Sequence, residues 1–582
     1  MVCSSLGINF FEQESSMKVS GRKTGSALSH APNDWYAVDW HRVERNVRGM
    51  QIRIAKATRE GKWRRVKALQ RMLTRTLSAK LSAVRRVTQN QGARTAGIDR
   101  ELWDSPQSRR LAVDRLKRRG YRPLPLRRVF IPKANGKERP LGIPTMHDRA
   151  MQALYLLALE PVAESSSDPN SYGFRSHRST ADAMSQIFVS MSRKSSAQWV
   201  LEADIKGCFD HINHDWLERN VPMDTAILRK WLKAGLIYQG QLQATVAGTP
   251  QGGIISPTLA NVTLNGLERE LVAHLGAKLG TANAKKLKVH VVRYADDFVI
   301  TGESKDILAN DVRPWVEAFL AVRGLQLSEE KTRITHIDQG FDFLGWNFRK
   351  YSGTLLIKPS KKNAQAFYRK VADTISGNKA VKQEDLIRLL NPMLRGWAQY
   401  HSPVVAKQAY TRMEYLVFQR LLRWSKRRHP QKNSDWVRAK YFHPVGERKS
   451  VFAAPMVRRD GSRGLFELYQ ISGTVIKRHT KIKGDFHPFD PVWEQYGEKL
   501  RQDRMWESMR YRRQWATLYM SQGGLCAHCG TALTDETGWH DHHLEYRMHG
   551  GKDTLSNRVL LHPHCHQQVH AGKIVVTKPV LI

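Results

Sequence analysis

The sequence predicts a multidomain fold: mixed α/β up to about residue 350, helical and basic beyond it, and a small metal-stapled unit at the C-terminal end. Three observations carry the prediction. A chain of 582 residues exceeds what one hydrophobic core organises and suggests roughly three to five units. Short apolar runs bounded by turn signals fall between Arg127 and Thr301, whereas apolar residues recur at helical spacing before and after them. Three of the five cysteines, Cys526, Cys529 and Cys565, gather near the end among histidines, which indicates metal ligation in a reducing compartment rather than a disulfide scaffold.

In chain order, Met1 to Ala31 is polar, Ser/Gly-rich and aperiodic, so residues 1–34 are expected to be a poorly ordered extension, with Met17 as an alternative start. Ile52, Ile54, Trp63, Val66, Leu69, Leu73 and Leu77 recur at helical spacing among Lys and Arg, predicting basic helices within residues 35–125. Two apolar segments around Asn135-Gly136 predict a hairpin over 127–141, followed by a helix from Asp148 through Leu159. Trp199 to Ile205 reads as a strand. Val289 to Thr301 reads as two strands meeting at a tight turn, and Gly248 to Pro257 as a loop entering a helix from Thr258 to His274. These elements form a unit over residues 126–350. Leu386, Leu389, Leu390, Met393, Leu394 and Trp397 mark the packed stripe of a helical unit at 351–432. Residues 433–511 are basic, with Arg501, Arg504, Arg510, Arg512 and Arg513, and 512–582 carry the Cys/His cluster.

Charge narrows the partner. Lys and Arg number 94 against 53 Asp and Glu, a formal net charge of +41 spread along nearly the whole chain, which favours a polyanion, nucleic acid before an anionic membrane surface. No apolar stretch reaches the roughly 18 to 20 residues of a spanning helix, and the start lacks the pattern of a secretion signal. The expected location is therefore the cytoplasm, as bacterial cytosol and nucleoid or an organelle matrix.

The chemistry starts from carboxylates. Phosphoryl transfer from a nucleoside triphosphate uses two divalent ions roughly 3.5 to 4 Å apart, and hard cations take oxygen ligands, so carboxylates must converge from separate segments. Asp204 ends an apolar strand and Asp296-Asp297 sit at a hairpin turn, which makes Asp204 and Asp296 the candidate bridging ligands of two Mg²⁺ and Asp297 an accessory. An Asp-Asp pair alone also suits any turn.

The order of the surrounding blocks decides between these readings. Ile131-Pro-Lys-Ala-Asn-Gly-Lys-Glu-Arg-Pro-Leu-Gly-Ile-Pro, Asn170-Ser-Tyr-Gly-Phe-Arg, Ala203-Asp-Ile-Lys-Gly-Cys-Phe-Asp, Thr249-Pro-Gln-Gly-Gly, Arg293-Tyr-Ala-Asp-Asp, Leu327-Ser-Glu-Glu-Lys-Thr and Phe343-Leu-Gly-Trp together resemble the fingers and palm of reverse transcriptases, a right-hand polymerase fold. The resemblance implies that Arg139, with Lys133, grips the triphosphate, and that Phe209 stacks on the sugar and excludes a 2′-hydroxyl. It also implies that Gln251 lies near the incoming dNTP and that Lys331 protonates the pyrophosphate or shields its charge. Leu394-Arg-Gly-Trp-Ala-Gln-Tyr-His in a basic helical region resembles the thumb and maturase domain of group II intron-encoded proteins, implying intron RNA and target DNA as partners, with no membrane. By the same resemblance, residues 433–511 are expected to bind DNA.

In the tail, Cys526-Ala-His-Cys529 and His562-Pro-His-Cys565 have the two-pair spacing of one structural Zn²⁺, His562 standing where Cys is more usual. Interleaved are His542-His543, Asn557, His566 and His570. This second pattern resembles HNH (ββα-metal) endonucleases, which implies that His542, His566 and His570 hold a divalent ion such as Mg²⁺, that His543 is the general base and that Asn557 orients it. A purely structural zinc knuckle requires neither the paired histidines nor the Asn. The implied function is reverse transcription with maturase activity and DNA nicking for intron mobility. A maturase with lapsed polymerase, or a standalone defence-type or retron-like enzyme, stand as the alternatives.

Overall fold

The computed structural model describes residues 35–132, 138–249, 252–457, 462–509, 513–535, 537–546, 549–552, 554–572 and 574–579. The expected poorly ordered extension 1–34, the Asn135-Gly136 turn, Arg510 and Arg512 lie outside them.

Periodicity places the N-terminal helices at Trp40–Arg59, Trp63–Leu73 and Leu77–Gln89. Their apolar stripes close on the helix Met146–Ser166, whose Ala150, Met151, Leu154 and Leu159 are buried. Trp63, expected in that stripe, is 49% exposed because it opens its helix at the surface end. The hairpin forms as Leu126–Pro132 against Glu138–Ile143, and a parallel contact with Leu236–Tyr238 extends it into a four-stranded sheet.

The central sheet is antiparallel in the order His290–Tyr294, Asp297–Gly302, Trp199–Asp204, Arg333–His336. Strand alternation sends Leu201, Phe298 and Ile300 into a first core shared with the N-terminal helices. Val200, Val292 and Val299 go into a second core on the opposite face. That second core joins the Trp346–Tyr351 and Thr354–Pro359 hairpin to the helices Lys361–Gly377, Gln383–His401 and Lys407–Arg428. In the stripe of the middle helix, Leu386, Leu390, Leu394 and Trp397 are buried, but Leu389 is 47% exposed, since it lies outside the arc that faces the core.

One sequence expectation needs correction. The single helix at Thr258–His274 is two, Ser256–Leu264 and Leu267–Leu279, broken at Gly266 with φ +94°. The second helix restarts under a distant cap, because Asp168 Oδ2 accepts from Gly266 N at 2.9 Å and Glu268 N at 3.4 Å. Further along, Phe442, Phe452, Ile471, Ile482 and Phe486 bury into the second core. Arg504, counted among the cations of a DNA-binding region, turns inward and donates to Asp182 Oδ2 at 3.0 Å and to the carbonyl of His177.

Asp182 is the hub of that inward contact. Fully buried, it closes the capping box of Thr180–Met191 with Ser179 and accepts from Ile482 N at 2.8 Å, while His479 Nε2 lies 2.8 Å from Oδ1. Burial pushes its carboxyl up, but the His479 hydrogen bond and the Arg504 charge outweigh it and hold the group at about 2. A depressed folded-state pKa contributes stability above about pH 4 that is lost as pH falls towards 2. Asp182→Asn should therefore destabilise by about 3 to 5 kcal/mol at neutral pH and less below pH 3. Thermal melts across that range, with limited proteolysis of the 475–505 segment, check it.

Candidate functional site

The polymerase residues converge by strand pairing. Asp204 ends its strand directly opposite Asp297, and Tyr294 faces Asp297 across the adjacent hairpin, leaving Ala295 and Asp296 as its two-residue turn. Ala295 sits at φ +59°, a left-handed conformation costing a non-glycine residue roughly 1 to 2 kcal/mol. Close packing accompanies that strain: a Cβ on Gly173 would stand 2.2 Å from Ala295 N.

Crowded carboxylates define the electrostatics. Partial burial raises Asp296, with the charge of Asp204 adding to it. Asp297 opens onto the cleft, yet surrounding chain, a hydrogen bond with Asp204 and the Asp296 charge push it up to about 7. Lys331 Nζ donates to Asp204 Oδ2 at 2.8 Å, and that bond raises its own pKa. Arg139, on the fingers strand Glu138–Ile143, is close enough for its charge to lower Asp296.

Phe209 lies on the short helix Cys208–His211, edge-on to Phe174 with centroids 6.2 Å apart. Its carbonyl accepts from Thr249 N at 2.6 Å, pinning the loop that leads to Gln251. Gly248 is required there, since at φ +84° a Cβ would meet Phe209 O at 2.6 Å. Asp204, Asp296, Asp297, Lys331 and Arg139 thus share one electrostatic site, and Phe209 follows Asp204 by one turn of chain. Lys133 and Gln251 lie outside the described residues. Sequence reasoning missed Arg293 and Asn261, which stand behind the turn; a charged residue inside the apolar run Val291-Val-Arg-Tyr was the available signal.

The nuclease residues meet on a strand pair and a helix. His540–His543 pairs with Arg558–Leu561, and Pro563–Ala571 packs across them. One ligand nitrogen each from His542, His566 and His570 lies within 4.8 Å of the others. Burial, reinforced by His570, lowers His542 and His566 to about 4, so both are neutral donors at pH 7. Tyr546 stacks on His570 at 5.3 Å between centroids. His540 was not anticipated; its Nδ1 lies 3.3 Å from His566 Nδ1.

Asn557 bonds to the loop that follows His543. Its amide donates to the carbonyls of Glu545 at 3.0 Å and Lys552 at 2.9 Å and accepts from Glu545 N at 2.8 Å. These bonds brace the loop that leaves His543. Gly551 fits the same loop, as a Cβ would stand 2.0 Å from Glu545 O.

Cys526, Cys529, His562 and Cys565 also bring one donor each within 4.8 Å. His562 Nδ1 faces the sulfurs, 3.4 Å from Cys529 Sγ and 3.9 Å from Cys565 Sγ, while Nε2 is 3.1 Å from Ala532 O. A backbone carbonyl on the outer nitrogen fixes the tautomer that leaves Nδ1 free to ligate. Hydrogen bonds from Cys529 and Cys565 lower Cys526 to about 3, and hydrogen bonds with Cys526 and Cys529 raise Cys565 in turn, so the crowded sulfurs favour one thiolate at Cys526. Four soft or borderline donors in this arrangement fit a tetrahedral ion.

Similarity to known proteins follows the same divisions. Residues 35–116 match the N-terminal domain of reverse transcriptase, and 131–348 match reverse transcriptase (RNA-dependent DNA polymerase). Residues 364–442 match the group II intron maturase-specific domain, and 526–572 match HNH endonuclease. Protein YkfC of Escherichia coli is 35% identical over 320 residues, covering 48% of this chain and 82% of that protein. Group II intron-encoded protein LtrA of Lactococcus lactis is 33% identical over 327 residues, covering 46% of this chain and 54% of LtrA, about half its length. The uncharacterized 91 kDa protein in cob intron of Schizosaccharomyces pombe is 25% identical over 414 residues, covering 58% and 51%.

Converging palm carboxylates and a histidine cluster on a ββα frame, in segments that match these families, define a class: an RNA-directed DNA polymerase joined to a DNA endonuclease. The maturase-specific match between the two completes the assignment. The chain belongs to the group II intron-encoded reverse transcriptase and maturase proteins that carry an HNH domain.

A folded-state carboxyl held near 7 against an ordinary value near 4 loses stability for the protein as pH rises between those values. Asp297→Asn should consequently raise the melting temperature in Mg²⁺-free buffer at pH 8 and leave it unchanged at pH 5. An equal shift at both values, or a loss at pH 8, would contradict the crowding.

Proposed function

We propose that this protein carries out target-primed reverse transcription: it binds intron RNA, the HNH site nicks one strand of target DNA, and the polymerase extends the new 3′-end with dNTPs along the RNA. The observation that carries the reading is the convergence of Asp204, Asp296 and Asp297 on the same basic chain as His542, His566 and His570. Intact carboxylates oppose a maturase with lapsed polymerase, and the maturase-specific match opposes a standalone defence-type enzyme.

Asp204 and Asp296 would hold two Mg²⁺, which supply charge to the attacking and leaving oxygens when bound. The chain's own residues orient the rest. Arg139 faces the same carboxylates and would grip triphosphate with Lys133. Lys331, bonded to Asp204, would shield charge beside the pyrophosphate, and Phe209 would stack on the sugar with Gln251 near the incoming base. In the HNH site His543 would take the proton from water, and Asn557 would keep its loop in register. Three imidazoles, with no carboxylate grouped with them among the described residues, suit a transition-metal ion better than Mg²⁺, which refines the ion expected there. Cys526, Cys529, His562 and Cys565 would hold a structural Zn²⁺.

For the nucleic acid, a cavity of about 830 Å³ between the N-terminal helices and the Met146–Ser166 helix is lined by Lys67, Arg71, Arg75, Lys80, Lys117 and Arg119. Its shape and sign fit a phosphate backbone. No helix among the described residues is long and apolar enough to cross a membrane, and the proposed setting is cytosol or an organelle matrix.

Asp296→Ala should lower cDNA synthesis by at least ~10³-fold, about 4 kcal/mol of transition-state stabilisation, with RNA binding retained; primer extension and filter binding read the two. His543→Ala should spare extension and slow second-strand nicking by roughly 10² to 10⁴-fold. Undiminished nicking in a plasmid assay would refute the general-base role.

A further inference from the structure

We propose that Arg293 is a positioning residue of the polymerase, acting through Ala295 to hold Asp296 at its working distance from Asp204. The side chain is 2% exposed, in mid-strand between Val292 and Tyr294. One guanidinium nitrogen donates to Asn261 Oδ1 at 3.1 Å and to Ala295 O at 3.2 Å, and the other donates to Asn265 Oδ1 at 3.2 Å. Ala295 is the left-handed residue of the two-residue turn, so the fork grips the carbonyl that leads directly into Asp296.

The grip is backed from a second side. Arg293 N donates to Asn170 O at 3.0 Å, and Arg293 O accepts from Tyr172 N at 2.9 Å. Asn261 Nδ2 donates to Gly173 O at 2.9 Å, and Gly173 is the residue packed against Ala295 N. The turn is thus clamped between the Asn170–Gly173 segment and the guanidinium. This gives a task to the Asn-Ser-Tyr-Gly block, which the sequence supplied without one.

Core filling does not account for an arginine here. Among the described residues its hydrogen-bond acceptors are neutral, and the Asp168 and Glu268 carboxylates act on it only through their charge, without an ion-pair contact. A buried charge so placed is costly, and an apolar side chain of similar volume would pack with less penalty. Burial lowers the guanidinium to about 10, which leaves it charged at neutral pH. What only a planar fork does is hold Ala295 O and both Asn side chains at once. Three mutually repelling carboxylates drive that turn apart, and the fork opposes them.

The proposal rests on the polymerase reading, whose own failure would show as absent extension by the unaltered chain. The experiment compares Arg293→Met and Arg293→Lys in the full-length protein on a poly(rA)/oligo(dT) template with dTTP, active sites being counted by the first-turnover burst. Expected is a kcat per active site lowered ~10²-fold in Arg293→Met and ~10-fold in Arg293→Lys, the scale of a misplacement near 1 Å. The apparent Mg²⁺ requirement should rise in both, with KM for dTTP and template affinity changed less than about threefold. A structural role alone would lower the melting temperature and the active fraction while leaving kcat per active site and the Mg²⁺ requirement unchanged, and that result overturns the proposal. Should Arg293→Met fail to fold, Arg293→Lys decides by the same two readouts: lowered turnover with raised Mg²⁺ requirement supports it, and unaltered values refute it.

Discussion

Repulsion between Asp204, Asp296 and Asp297 is the constraint around which the polymerase half is organised. Carboxylates placed to share cations must stand closer than is comfortable without them, and Asp297 at about 7 records that crowding. Each surrounding device opposes it. Antiparallel register sets Asp204 against Asp297. Lys331 places an ammonium on Asp204, Arg139 lends charge from the fingers, and Arg293 holds the turn from behind. The two cores explain why the sheet tolerates the load: with alternate residues of each strand anchored in different cores, the strands cannot slip by one residue without exposing both sets.

The parts legible in the sequence were those specified locally. The palm strands, the hairpin turn at Ala295-Asp296 and the Cys/His pairs follow from alternation, turn chemistry and fixed spacing, while the histidine set His542, His566 and His570 came from the resemblance to HNH endonucleases. The illegible parts depend on distant partners. Gly266 breaks a helix because Asp168, almost a hundred residues earlier, caps its restart. Arg504 reads as one more surface cation until Asp182 is found opposite it. The amide bonds of Asn557 could not be assigned either, because their partners at Glu545 and Lys552 lie on a loop whose path no spacing rule gives.

The same distinction separates the charges. Net charge of +41 pointed to nucleic acid, but the individual arginines divide by burial. Arg175 and Arg178 meet on Glu164 in the interior, where the pairing outweighs burial and holds that carboxyl at about 2. Arg293 is likewise internal, and Arg504 is half-buried on Asp182. Lys67, Arg71 and Lys117 line an open cavity. Composition counts these cations alike, and only packing tells which are spent on internal carboxylates.

The nuclease end compresses several of these duties into one nine-residue helix, Pro563–Ala571, with its cap. Helical periodicity keeps them apart. His566 and His570, one turn apart, face the strand histidines. His562 and Cys565 face Cys526 and Cys529. His564 and Gln568 point a third way, His564 edge-on to Trp40 at 5.5 Å and Gln568 donating to the carbonyls of Tyr36 and Val38. The helix that supplies two histidines to the nuclease cluster is therefore also the element that seats the HNH unit on the N-terminal helices. The Cys/His cluster, tied to the start of that helix, sets its orientation towards both. Loss of the Cys/His ligation would consequently disturb the nuclease histidines and the seat on Trp40 together: His564 Nε2 lies 3.2 Å from Cys565 Sγ, and His566 and His570 continue the same rigid helix.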